Sequence, residues 1–188
     1  MRLTTLFGIT LSLAIGIGEV TLPVAQAVQL RDGLVYFVQP PTLVNATTTY
    51  KEVNVLSATY YFTINVPENA GEALQKVTIA QKEGSEYIRY RLDDTRAFVG
   101  TRDRKEAQLQ LGSVINESKI RTVSVIFDPP VTPGQTITIA LRPVSNPSFS
   151  GVYLLGVTAF PVGEKSHGQF LGFGRFQFYS NWGSWWFR

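Results

Sequence analysis

SATYYFTINV, residues 57–66, carries the clearest indication of the fold class. Its side chains alternate along the chain between an apolar or aromatic class and a mostly polar class. The two classes are Tyr60, Phe62, Ile64 and Val66 against Thr59, Tyr61, Thr63 and Asn65. Because successive side chains of a strand point to opposite faces, the pattern predicts a β-strand with one buried side and one solvated side.

The same alternation recurs and predicts further strands. It is clearest in YIRYRL (87–92), AQLQL (107–111), RTVSVIF (121–127) and QTITIALR (135–142). Two shorter segments, 34–39 and 76–81, continue the series. The β-branched and aromatic side chains that fill these segments favour strands as well.

Two later segments complete a set of about nine predicted strands. GVYLLGVTAF (151–160) is apolar on both faces, which is expected of a strand in the middle of a sheet. The segment 170–179 places Phe170, Phe176 and Phe178 on one face, and its glycines are expected to let a neighbouring segment or ring approach closely.

Glycine and proline separate the predicted strands. Pro133-Gly134 suits a type II turn, in which glycine takes the positive φ. Only 68–75, which follows Pro67, has a helical pattern, and it predicts two turns. The chain is therefore predicted to be an all-β antiparallel sandwich, Ig-like or jelly-roll-like, with at most one short helix.

The first 27 residues have the pattern of a secretory signal peptide. Arg2 precedes the apolar run LFGITLSLAIGIG, and Ala25-Gln26-Ala27 matches the small-residue cleavage pattern. The run is shorter than the roughly 20 residues of a spanning helix, so we expect cleavage and no transmembrane helix afterwards. The predicted organisation is a signal peptide (1–27), a β-sandwich domain (28–180) and a Trp-rich tail (181–188). The expected location is the periplasm or cell envelope, with the thylakoid lumen left open.

Composition excludes several kinds of chemistry. The chain has no cysteine, so disulfides, thiolate catalysis and cysteine metal sites are ruled out. The net charge is a mild +3 and the basic residues are scattered, which argues against a nucleic-acid partner. The single histidine, His167, has no second histidine or cysteine to share a metal, and we expect a solvated loop side chain. No cofactor or metal is predicted.

The most charged segment, 89–106, is the first candidate contact surface. It holds six basic and four acidic residues, and its candidate contact residues are Arg91, Asp93, Asp94 and Arg96. Three interpretations are open: calcium ligation by the adjacent aspartates, glycoside hydrolysis by a carboxylate pair, and a solvated turn. We favour the turn, with Arg91, Arg96 and Arg102 pairing with nearby acids. Candidate carboxylates for hydrolysis are Asp93, Asp94, Asp103 and Asp128.

The second candidate contact surface is NWGSWWFR (181–188), which contains every tryptophan of the chain: Trp182, Trp185 and Trp186. Exposed aromatic side chains of this kind stack on sugars or favour membrane interfaces. The alternative is that the segment folds back as a cap. Trp185 and Trp186 are adjacent, so an extended segment would point them in opposite directions.

Four phrases of the sequence resemble a known family: 66–81, 93–102, 122–164 and GQFLGFGRFQFY (168–179). The family consists of cyanobacterial exported proteins catalogued as a domain of unknown function, number 2808. The resemblance implies a single exported domain and brings no established activity, catalytic residue or cofactor. The family pattern ends near Tyr179, which places the Trp-rich tail beyond the shared domain.

These observations favour a non-catalytic binding or structural module of the cell envelope, with an envelope protein, glycan or membrane surface as partner. One alternative is an envelope glycan hydrolase that uses cleft carboxylates. Another is an accessory protein that docks to a membrane or complex through the tail. A cleft with two facing carboxyl groups would distinguish the hydrolase.

Overall fold

The computed structural model describes residues 28–29 and 33–180. The predicted signal peptide (1–27) and the Trp-rich tail (181–188), with Trp182, Trp185 and Trp186, lie outside these residues.

Strands make up most of the described chain. They are β1 (Val28–Gln29), β2 (Val35–Tyr36), β3 (Thr42–Thr48), β4 (Tyr60–Asn65), β5 (Leu74–Glu83), β6 (Arg96–Gly100), β7 (Lys105–Leu109), β8 (Leu111–Glu117), β9 (Thr122–Val131), β10 (Thr136–Leu141), β11 (Gly151–Pro161) and β12 (Gln169–Phe178). Two single 3₁₀ turns, Leu92–Asp94 and Ser118–Ile120, are the helical elements within 28–29 and 33–180.

The main strands form two five-stranded antiparallel sheets. The first sheet has the order β3-β4-β10-β6-β7 and the second has the order β12-β11-β5-β9-β8. Strand β12 packs beside β3 on one side of the molecule, while Gln110 joins β7 directly to β8 on the other side. The predicted antiparallel β-sandwich is confirmed, and β11 lies inside its sheet as its two apolar faces indicated.

The core lies between the two sheets and follows the predicted alternation. Tyr60, Phe62 and Ile64 of β4 are fully buried against the second sheet. The Tyr60 and Phe176 rings stack with centroids 4.9 Å apart, and Phe62 meets Phe176 at 5.6 Å. Aromatic burial of this kind dominates the stability of such a core.

The prediction that Phe170, Phe176 and Phe178 share one face of β12 is wrong. Phe176 and Phe178 enter the core with 2% and 1% exposure, whereas Phe170 points outward with 47% exposure. The register of the β11–β12 pair shifts between Val157 and Thr158. Val157 pairs with Gly172, which has φ 125°, whereas Thr158 pairs with Phe170, so one residue of β12 is skipped. One extra residue reverses every side chain beyond it, so Phe170 does not share a face with Phe176 and Phe178.

Two other predicted elements are wrong. Residues 68–75 form a turn rather than a helix: Ala70 N–H donates to Pro67 O, and β5 begins at Leu74. Residues 87–92 form no ladder beyond an isolated bridge between Tyr90 and Pro143. Their alternation still describes burial, because Ile88, Tyr90 and Leu92 all pack on the core.

Other boundaries differ from the prediction in extent. The segment 34–39 contributes only the two residues of β2, and 107–111 divides between β7 and β8. Strands β3, β6 and β8 were not predicted as separate elements. Gly134 has φ 84°, as the Pro133-Gly134 turn requires.

Candidate functional site

An open groove of about 450 Å³ crosses the outer face of the first sheet. We call it the sheet groove. Its lining includes two aromatic, three basic and two acidic side chains: Tyr61, Phe98, Arg96, Lys105, Arg142, Asp94 and Glu106. These residues come from β4, β6, β7 and the segments that flank β6 and β10.

The register of β4, β10 and β6 determines which side chains form the floor of the sheet groove. Ala140 pairs with Tyr61 on one side and with Arg96 on the other. The three side chains therefore lie in one row across the sheet, and the small alanine keeps the middle of the row low. Phe98 lies in the next row, between Thr138 and Gln108.

The hairpin between β6 and β7 bends over this floor. Arg102 lies with its guanidinium carbon 5.2 Å from the centroid of the Tyr61 ring. The Lys105 ammonium lies 5.4 Å from the Phe98 centroid and 6.0 Å from that of Tyr61. Cations at these distances are attracted to the ring faces, so the aromatic floor holds two long basic side chains over the groove.

Hydrogen bonds under the hairpin fix its position. Thr138 Oγ1 donates to Gly100 O at 2.7 Å and also lies 2.9 Å from Thr63 Oγ1. Gly100 has φ 94°, and a Cβ there would collide with the Arg104 carbonyl oxygen, so the bend requires glycine. Both threonines are buried although they point outward from the sheet, because the hairpin covers them.

The opposite wall is built around the 3₁₀ turn Leu92–Asp94. Arg142 Nη1 lies 3.8 Å from Asp94 Oδ2, and both side chains are about two-fifths exposed. Arg96 Nη1 donates to the carbonyl oxygens of Asp93 and Thr95 at 2.7 and 2.8 Å. Arg142 Nε is enclosed and has no acceptor among the described residues, so the hydrogen-bonding capacity of this guanidinium is not saturated.

The charge balance of the sheet groove is positive. Its rim and walls carry Arg96, Arg102, Lys105 and Arg142 against Asp94 and Glu106. Within residues 28–29 and 33–180, no group of three His, Cys, Asp or Glu side chains is placed to hold a metal ion.

The structure brings only some of the predicted contact residues together. Asp94 and Arg96 line the sheet groove, whereas Asp93 contributes a backbone carbonyl and Arg91 projects from the surface outside the lining. The predicted solvated turn at Asp93-Asp94 is present as the 3₁₀ turn.

The predicted ion pairs are wrong. The Asp94 carboxylate pairs with Arg142, while Arg96 binds carbonyl oxygens and Arg102 lies on Tyr61. The candidate hydrolytic carboxylates Asp103 and Asp128 do not line the sheet groove.

Sequence reasoning missed Tyr61 and Arg142 as members of the site, and it covered Phe98 and Lys105 only as unnamed members of the 89–106 segment. Tyr61 had a usable signal, since it is an aromatic residue on the solvated face of the 57–66 alternation. The sequence gives no signal that Phe98 and Arg142 lie near Tyr61, because that proximity depends on which strands pair.

The titratable core groups lie away from the sheet groove. Burial raises the pKa of Tyr60 and of Tyr90 above the ordinary value for tyrosine, and it raises the pKa of Tyr153 as well. His167 is an exposed loop residue, as predicted, and stacks on Tyr36 at 4.7 Å.

A family model described as "Protein of unknown function (DUF2808)" matches residues 34–178. The match covers most of the sequence, so the chain belongs to this family. This confirms the family resemblance, while the cyanobacterial source and export remain expectations. No curated protein matches the sequence.

Three solved structures share some similarity of fold. The collagen-binding domain from a Staphylococcus aureus adhesin is 9% identical, with a TM-score of 0.40, and the match covers 72% of this chain and 97% of that one. The C-terminal domain of the Streptococcus pyogenes antigen I/II-family protein AspA is 10% identical, with a TM-score of 0.44, over 72% of this chain and 46% of that one. A cohesin module from a Clostridium perfringens family 33 glycoside hydrolase is 13% identical, with a TM-score of 0.34, over 74% and 98%. None of the three supports an inference about ligand or partner.

In the part of the chain that the structure describes, no helix has both the length and the apolar character needed to cross a bilayer.

Proposed function

We propose that this member of the DUF2808 family is a non-catalytic binding module of the cell envelope, and that its sheet groove binds an anionic polysaccharide. The observation that carries the proposal is the pair of cations held over aromatic rings. Arg102 and Lys105 lie over Tyr61 and Phe98 at the rim of the groove.

Preorganised cations favour an anionic ligand. A free arginine or lysine side chain loses rotamer entropy when it is immobilised by a ligand, and this loss weakens binding. Here the ring contacts already restrict Arg102 and Lys105, while Arg96 is fixed by two carbonyl oxygens. Carboxylates or sulfates of a ligand would meet donors whose positions are already set.

The acidic residues of the sheet groove favour a glycan over an acidic peptide. Asp94 and Glu106 lie among the basic side chains and would repel the closely spaced carboxylates of an acidic peptide. A polysaccharide presents hydroxyl groups between its charges, and hydroxyls donate hydrogen bonds to carboxylates. Thr59 and Gln108, which also line the groove, add neutral partners for the same hydroxyls.

The positions and pairing of the acidic residues favour binding without hydrolysis. Of the acids expected to serve hydrolysis, only Asp94 lines the sheet groove, and it is paired with Arg142. A glycosidase needs one carboxyl group on each side of the scissile bond, with one of them protonated. Hydrolysis by Asp94 together with Glu106 is the second candidate, because both line the same groove. Release of new reducing ends would show it, and loss of that release in Glu106→Gln would assign it.

The envelope location rests on the sequence pattern at Arg2, in the apolar run 6–18 and at Ala25-Gln26-Ala27. N-terminal sequencing of the protein purified from its own cells tests it. A first residue at Val28 supports export. A protein that begins at Met1 and stays with the cytoplasmic fraction contradicts the location but leaves the groove proposal standing.

Calorimetric titration with three polymers tests the ligand class. We expect the intact protein to bind a poly-uronate, to bind a neutral glucan much more weakly, and to bind poly-glutamate more weakly than the poly-uronate. Affinity for the poly-uronate should fall as salt is added, because salt screens exposed charges. Equal binding of neutral and anionic glycans contradicts the role of the cations.

A charge-matched pair of double variants tests whether the poly-uronate binds at the sheet groove. Arg102→Gln with Lys105→Gln should weaken poly-uronate binding on the order of tenfold, since about 1.4 kcal/mol corresponds to one factor of ten. Lys82→Gln with Lys119→Gln removes the same charge from exposed positions on the second sheet and the 118–120 turn. Equal losses in both double variants would mean that net charge, rather than the sheet groove, governs binding.

A further inference from the structure

One end of the sandwich exposes four large apolar side chains on neighbouring segments. Tyr50, Leu56, Phe149 and Tyr179 are 46%, 64%, 61% and 51% exposed. We call these four residues the end patch. A contiguous apolar surface on a folded domain usually marks a contact site, whereas single exposed apolar residues are normal.

Backbone hydrogen bonds hold the segments of the end patch together. Tyr179 N–H donates to Lys51 O at 2.8 Å, and Val53 N–H donates to Tyr179 O at 3.0 Å. Asn54 N–H donates to Pro147 O at 3.1 Å, two residues before Phe149. The patch is therefore a fixed platform rather than a set of independent loop tips.

Asn146 fixes this platform from below. Its side chain is fully buried, and its Nδ2 donates to Tyr50 O and Glu52 O at 3.1 and 2.8 Å. Its Oδ1 accepts a hydrogen bond from Tyr60 at 2.9 Å. A buried amide with these partners ties the 50–52 backbone to the core.

The direction of the chain at Tyr179 leads towards the rest of the patch. Tyr179 forms a parallel bridge with Glu52. In a parallel pair both chains run the same way, so the chain at Tyr179 runs in the direction that leads from Glu52 towards Leu56.

We infer that residues 181–188 dock on the end patch of their own chain. The eight residues reach about 26 Å when extended, since each adds about 3.3 Å, and Tyr179 of the patch lies two residues before the segment begins. They contain Trp182, Trp185, Trp186 and Phe187, which supply the apolar surface that the patch lacks. In an extended segment Trp182 and Trp186 share one face, so these two are assigned to the contact.

Tryptophan fluorescence tests this inference without a label. All three tryptophans of the chain lie within 181–188, so the emission of the intact protein reports this segment alone. Docking predicts an emission maximum to the blue of free N-acetyltryptophanamide and reduced quenching by iodide. Both should be independent of protein concentration.

Paired variants locate the contact. Leu56→Ser with Phe149→Ser should shift the emission towards that of the free indole and raise iodide quenching. Val44→Ser with Ile120→Ser removes side chains of similar exposure, 59% and 61%, away from the patch and should leave the emission unchanged. Far-UV circular dichroism checks that all variants stay folded, and Leu56→Ser alone provides a milder form of the test.

Four outcomes overturn the inference. They are emission of the free indole in the intact protein, an equal response of the patch and control variants, emission that depends on protein concentration, and a blue shift that appears only with lipid vesicles. The third outcome indicates a contact between two copies, and the fourth indicates membrane docking. None of these outcomes bears on polysaccharide binding at the sheet groove.

Discussion

Tyr60 and Tyr61 are neighbours on one strand and serve opposite purposes on the two faces of the first sheet. Tyr60 is fully buried, stacks on Phe176 at 4.9 Å and donates its hydroxyl to Asn146. Tyr61 points outward and lies beneath Arg102 and Lys105. The inner ring provides packing, and the outer ring positions charge.

The inner face of the first sheet contributes to stability, whereas the outer face is assigned to ligand binding. On the inner face every large side chain removes apolar surface from water, so its loss costs folding free energy. On the outer face the Tyr61 ring is partly solvated and lies beneath the exposed cations Arg102 and Lys105, so its loss should cost little stability. We therefore expect substitutions on the inner face to destabilise the fold and substitutions on the outer face to weaken ligand binding.

Truncation of a buried ring on the inner face should cost the most folding stability. Tyr60→Ala should lower the free energy of unfolding by about 3–5 kcal/mol, as for other buried aromatic truncations. Tyr61→Ala should lower it by less than about 1 kcal/mol. Urea denaturation followed by far-UV circular dichroism measures both, since the tryptophans report only on 181–188. Equal losses would remove the distinction between the two faces.

Removal of the buried Asn146 amide should cause the next largest loss of folding stability. Asn146→Ala removes the side-chain partner of the Tyr60 hydroxyl and of the Glu52 carbonyl, and it leaves the Tyr50 carbonyl with the bond from Thr48 Oγ1 alone. We expect a loss of about 2–4 kcal/mol, because each unsatisfied buried group costs about 1–3 kcal/mol. Asn65→Ala removes a partly exposed amide that accepts one bond from Thr136 and is the matched control. A similar loss in both variants would contradict the role given to Asn146.

Alkaline pH tests the inner tyrosines as a group. Burial raises the folded pKa of Tyr60, Tyr90 and Tyr153, whereas an unfolded tyrosine titrates near pH 10. The stability from these groups is therefore fully present below about pH 10 and is lost as pH rises towards their folded pKa values. Each tyrosine should contribute a fall of up to about 1.4 kcal/mol per pH unit. Unfolding free energies measured between pH 8 and about 11 should show this fall, and a flat profile would contradict it.

The smallest expected effect on stability belongs to the groove cations. Arg102→Gln with Lys105→Gln should change the free energy of unfolding by less than about 1 kcal/mol, since exposed cation–π contacts contribute about 0.5–1 kcal/mol. Thermal denaturation at neutral pH checks this. A loss comparable with that of Tyr60→Ala would mean that the hairpin is structural and that its effect on binding is indirect.

The alternation of side chains was sufficient to predict the sandwich and the burial of β4. It failed where pairing departs from a regular ladder. The extra residue Leu171 reversed the face of Phe170, and no local pattern predicts such an insertion. The helical pattern of 68–75 was also overridden, because Leu74 pairs with both Val131 and Pro161 in the second sheet. Tertiary pairing outweighs propensities of this size.

The candidate site was predictable only in part. The charged segment 89–106 contains Asp94, Arg96, Arg102 and Lys105, and composition singled it out. Its expected ion pairs were wrong because the arginines found carbonyl oxygens and an aromatic ring. Tyr61 enters from 28 or more residues earlier in the chain, and register alone brings it beneath the hairpin. A sequence reports local pattern, whereas the sheet groove is assembled across strands.

Amide chemical-shift mapping with a poly-uronate oligosaccharide tests whether the outer face of the first sheet is the binding surface. Titration of the ¹⁵N-labelled protein should perturb backbone amides around Tyr61, 94–98, 105–108 and 140–142, and should leave the second sheet unchanged. The largest changes should lie at the 100–105 hairpin. Perturbations centred on Phe170 and Phe173 of the second sheet, or no saturable change at low salt, would contradict the claim that the outer face of the first sheet is the binding surface.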